Sequence, residues 1–101
     1  NLISNDFGLF QSNIKSVIKR QKVSDTIYNR RYFANKLVYD VGFSTANAIV
    51  EIDYWKKVHK NNWIKIWASY NTGWKYNSDT GIQYATSVFD IIKKLKYEYD
   101  L

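Results

Sequence analysis

Two segments constrain the fold of this chain more than any others. Residues 48–55, AIVEIDYW, and 63–70, WIKIWASY, each alternate in side-chain character and flank the polar run KKVHKNN. Alternation at period two is the signature of a half-buried strand, because successive side chains point to opposite faces of a sheet. The pair therefore reads as a β-hairpin. Pairing apolar with apolar fixes its register, since a slip by one residue inverts both faces. Trp55 then lies opposite Trp63, Asp53 opposite Lys65 and Glu51 opposite Trp67. On the other face Tyr54 meets Ile64, Ile52 meets Ile66 and Val50 meets Ala68.

The remaining segments are assigned around this hairpin. Residues 5–20, NDFGLFQSNIKSVIKR, place Phe7, Phe10, Ile14 and Val17/Ile18 at helical spacing, with Asn5 or Asp6 as a cap. Residues 36–43, KLVYDVGF, alternate and predict a first strand, with a single helix over 24–41 as the competing assignment. STAN at 44–47 reads as a turn, and Thr72–Gly73 as a turn into a short fourth strand. From Thr80 to about Tyr97 the stripe Ile82, Ala85, Val88/Phe89, Ile92, Leu95 predicts a helix, opened by a Thr80/Gln83 capping box.

The expected fold class is thus α+β. It comprises a small antiparallel sheet of three to four strands flanked by an N-terminal and a C-terminal helix, in the order α-β-β-β-α. At 101 residues a single domain over the whole chain is expected. The helices would cover Val50, Ile52, Ile64 and Ile66, leaving Trp55, Trp63, Lys65 and Trp67 facing outward. In order of elements alone this is similar to double-stranded RNA-binding domains. The Lys-Lys-x-Ala-Lys signature that opens their last helix is missing, that place reading DTGIQYA.

All four tryptophans fall between residues 55 and 74, interleaved with lysines, and the formal net charge is +6. Flat rings can stack on bases while lysines meet phosphates, and tryptophan is equally a hot-spot residue at protein interfaces. The candidate binding residues are therefore Trp55, Lys56, Lys57, Lys60, Trp63, Lys65 and Trp67, with Arg30 and Arg31 as a second basic spot. The plainer alternative is that the rings are covered, by the 22–35 segment, a second copy or lysine stems. Heavy use of Asn, Lys, Ile and Tyr, whose codons are AU-rich, weakens charge as a sign of function.

Chemistry is poorly represented. The chain has no cysteine, so disulfides and thiolate metal sites are excluded, and a reducing, cytoplasmic compartment is favoured. His59, the only histidine, cannot assemble a histidine-based zinc site alone. A metal-dependent nuclease centre on Asp40, Glu51 and Asp53 lacks the acid-x-Lys spacing. The four glycines are scattered and form no phosphate loop. No cofactor is expected, no apolar run is long enough for a membrane helix, and NLISNDFGLF does not read as a signal peptide.

The expectation is a non-enzymatic basic binding domain whose leading partner is nucleic acid, RNA or DNA. The alternative is an inhibitor or accessory factor of a phage or other mobile element that docks on an acidic partner protein.

Overall fold

The helical period prevails over the strand period through most of the chain. The computed structural model describes residues 5 to 100. Among them are five helices: α1 Ile14–Gln21, α2 Ile27–Tyr39, α3 Val41–His59, α4 Trp63–Thr72 and α5 Asp79–Tyr99. A single 3-10 turn, Gly73–Lys75, follows α4. Among the described residues sheet structure is confined to two two-residue strands, β1 Asp6–Phe7 and β2 Ser12–Asn13, paired antiparallel with Asp6 opposite Asn13. The expected α+β sheet of three to four strands is absent, and with it the Trp55–Trp63 register and the topological analogy to double-stranded RNA-binding domains.

The reason for the difference is visible in α3. Its buried or half-buried residues are Phe43, Ser44, Thr45, Asn47, Ala48, Glu51, Ile52, Trp55 and His59, and from Ser44 onward Asn47/Ala48, Glu51/Ile52, Trp55 and His59 recur at three and four residues. Several of these are small or polar, so hydrophobicity does not mark the inward side. Val50, expected in the core, is exposed, as is its neighbour Ile49. A run that is apolar at both parities satisfies either period, and burial here selects the helical one.

The chain divides into two compact units, the first ending at Val50 and the second beginning at Glu51, so α3 contributes one half to each. In the first unit Ile14, Val17 and Ile18 of α1 pack on Phe33 and Leu37 of α2, with Phe7, Ala34 and Phe43 against them. Phe33 stacks on Phe43 at 6.0 Å. Arg20 donates twice to Asn47 Oδ1, at 3.1 and 3.0 Å. The helix expected over 5–20 begins only at Ile14, because Asn13 caps it by accepting from Lys15 and Ser16 N–H. Gly8 forms the hairpin turn at φ +83°. A Cβ there would collide with the Leu37 carbonyl oxygen and come within 2.9 Å of its carbon, so glycine lets the hairpin lie on α2.

In the second unit α4 and α5 pack together, with Ile66, Ala68 and Ser69 buried on one side and Gly81 and Ala85 on the other. A Cβ at Gly81 would stand 2.8 Å from Thr72 Oγ1 and 3.0 Å from the Tyr76 carbonyl oxygen; its lack permits the close approach. The C-terminal helix is where the sequence puts it, but Ser78 caps it through Gly81 N–H in place of the expected Thr80/Gln83 box. Of its expected stripe, Ala85 is buried and Val88, Phe89 and Ile92 are half-buried, while Ile82 and Leu95 at the two ends are exposed.

Candidate partner-binding surface

The second unit holds the tryptophan and lysine residues that the sequence singles out, and its helices sort them into two groups. α3 ends at His59, Lys60 adopts a left-handed conformation (φ 60°), and Asn62 caps α4 by accepting from Lys65 N–H at 3.2 Å. This turn brings the end of α3 against the start of α4.

The inner group centres on Trp55. It is only 3% exposed, and its indole N–H donates to Glu51 Oε1 at 2.9 Å, one helical turn back. His59, one turn forward, stacks on it with centroids 5.7 Å apart. Trp74 meets its ring edge-on at 4.9 Å, and Tyr76 meets His59 edge-on at 4.5 Å. His59 Nε2 lies 2.8 Å from Ser69 Oγ on α4. Desolvation first, and the Lys65 ammonium second, hold the imidazole below its ordinary pKa and so favour its neutral form. Ser69 is 1% exposed, so its hydroxyl lies in the interior against His59.

The outer group lies on α4. Trp63 and Trp67 are one turn apart, with centroids 6.3 Å apart, and Trp67 packs on Tyr70 at 6.1 Å. Lys56 Nζ reaches over the Trp63 ring at 6.0 Å, and Lys65 Nζ over Tyr76 at 5.8 Å. Trp63 is 38% exposed, Trp67 is half-buried, and neighbouring Ile64 is exposed. Trp74, at 66%, presents the most open indole.

The sequence-derived candidates therefore divide. Trp55 is core, which corrects its placement on an outward face. Lys57 pairs with Asp53 at 2.9 Å as an i,i+4 ion pair. Lys56, Lys60, Trp63 and Lys65 are exposed around the start of α4, and Trp67 supports Trp63 from behind. Arg30 and Arg31 belong to α2 in the first unit. Arg30 is held by a bidentate pair with Asp25, whose second bond is 2.8 Å, while Arg31 is exposed. The sequence reading missed Trp74 and the His59–Ser69 contact. The i,i+4 spacing of Trp55 and His59 was an available signal for a helix, whereas Ser69 is brought to His59 only by the α3–α4 turn.

Among the described residues no cluster of metal-ligating side chains occurs, and no helix is long and apolar enough to cross a membrane.

No family model matches the chain, and no solved structure matches it. It is similar to a curated protein of Enterobacteria phage T4, the "Uncharacterized 20.7 kDa protein in vs-regB intergenic region", with 31% identity over 91 residues. The alignment covers 89% of this chain and 48% of the phage protein, so the chain spans about half the length of the relative it matches.

Proposed function

We propose that this protein is a phage-type accessory factor that acts by docking on a partner protein, through the start of α4 and the adjoining end of α3. The observation that carries the reading is the state of the indole rings. Base stacking needs free ring faces. Trp67 is half-buried between Trp63 and Tyr70, and Lys56 lies over Trp63. Beside them stands exposed Ile64, an aliphatic group with nothing to offer a base or a phosphate. Half-exposed tryptophan next to aliphatic surface is the composition of a protein hot spot. Similarity to a phage protein supports an accessory role.

Nucleic acid binding is a second reading, favoured by one observation: the second unit carries exposed Lys56, Lys60, Lys65 and Lys75 together with open Trp74 and Trp63. One experiment separates the two. Purified protein captures partners from a native-host lysate, with and without nuclease, and the capture is repeated with Trp63→Ala and Ile64→Ala. Protein docking predicts a bound polypeptide that survives nuclease and is lost with either variant. Capture abolished by nuclease, with oligonucleotide affinity falling steeply as salt rises, overturns it in favour of nucleic acid.

A further inference from the structure

Helix α2 is apolar on two sides. Its inner side, Phe33, Ala34 and Leu37, joins the core of the first unit. Its outer side carries two adjacent i,i+4 rows, Ile27, Arg31, Asn35 and Tyr28, Tyr32, which line an open hollow of about 460 Å³. Ile27 and Tyr28 are 72% and 77% exposed. Clustered exposed apolar and aromatic side chains mark a contact site, so the outer side has the composition of a contact surface that the first unit leaves unfilled.

Charge indicates what fills it. No acidic residue occurs in α2, and it carries three cations, Arg30, Arg31 and Lys36. Arg30 is neutralised by Asp25, and Lys36 Nζ sits 4.6 Å over the Phe43 ring. The other nearby acid, Asp40, is occupied by Phe43 N–H at 3.0 Å. Arg31 alone has no partner among the described residues, and it lies between tyrosine and isoleucine side chains in the hollow. A lone guanidinium offers two parallel N–H groups to one carboxylate. Nucleic acid binding draws on several cations at once, and this face has one to give; a polyanion would also leave Ile27 facing phosphate.

We propose that the outer face of α2 is a docking site for a segment of an acidic partner protein, in which an Asp or Glu carboxylate pairs with Arg31 while flanking apolar side chains cover Ile27, Tyr28 and Tyr32. Tyr and Arg are the residues that most often dominate such contacts. The site lies in the first unit and is independent of the α4 surface.

A yeast-displayed library of random short peptides, selected on the full chain, supplies the probe. Selected sequences carry an Asp or Glu beside apolar residues. In fluorescence anisotropy, a selected peptide binds roughly ten-fold more weakly to Arg31→Gln, the loss expected for one charge-assisted pair. Arg31→Lys, which keeps the charge but not the fork, falls between. Replacing the peptide's acid by its amide gives the same loss, and Arg31→Gln then adds nothing further. Tyr32→Ala also weakens binding, whereas Trp63→Ala does not. Circular dichroism reports an unchanged fold, since Arg31 and Tyr32 are exposed. Absence of enrichment, selection of peptides without acids, or equal affinity for Arg31→Gln overturns the proposal. Any of these leaves the α4 reading standing, because that reading is tested by Trp63 and Ile64.

Discussion

Truncating Trp55 tests the division of the tryptophans into an inner and an outer group. Trp55→Ala removes a side chain that is 97% withdrawn from solvent, its contacts with His59 and Trp74, and the bond that its indole N–H gives Glu51. Truncation of a buried tryptophan costs about 3–5 kcal/mol, including the cavity left behind. Small domains are stable by about 5–15 kcal/mol, so about a fifth or more of the total is lost. At this chain length the melting temperature falls by more than about 10 °C. Trp63→Ala removes a partly exposed ring that meets Trp67 and the Lys56 ammonium, and costs about 1 kcal/mol or less. Trp55→Phe keeps an aromatic ring but gives up the bond to Glu51, for an intermediate loss of about 1–3 kcal/mol. Urea unfolding followed by far-UV circular dichroism measures all three without relying on tryptophan fluorescence. A loss under about 1 kcal/mol for Trp55→Ala, or equal losses for Trp55→Ala and Trp63→Ala, would refute the assignment of Trp55 to the core.

Two further outcomes follow from backbone geometry and from protonation. Gly8 and Gly73 both have positive φ, but only at Gly8 does backbone stand within reach of an added Cβ. Gly73→Ala should therefore cost the conformational strain alone, about 1–3 kcal/mol, and Gly8→Ala measurably more; the reverse order in urea melts would contradict the hairpin's seat on α2. The folded state holds the His59 pKa below its ordinary 6.5, so the unfolded chain takes up the proton first as pH falls. The stability due to neutral His59 is complete above that value and is lost as pH drops from it through the lower folded pKa. Against His59→Gln, which can keep a hydrogen bond to Ser69, the native protein should lose more stability between about pH 7.5 and pH 5. Parallel curves would remove His59 from the account.

Local signals marked the terminal helix, while the strand expected at 36–43 gave way to the helix that competed with it. Ile27–Tyr39 is helical, and Asp79–Tyr99 contains the expected 80–97. Lys and Arg near the end of α1, and capping groups at each helix start, are properties of short stretches that need no distant partner. What a short stretch cannot fix is the choice between periods in 48–70. There the residues that turn inward include Ala48 and Ser69, and those left outside include Ile49, Val50 and Ile64. Their burial depends on which helix lies opposite, and on Gly81 and Ala85 letting α5 approach α4. The same holds for the binding residues. That tryptophans, lysines and Arg31 are the groups with something to offer a partner is a matter of residue type and was legible in the chain. Whether each is free to offer it was decided by tertiary contacts, because a ring or a charge already satisfied by Glu51, Asp53 or Asp25 has little left to give.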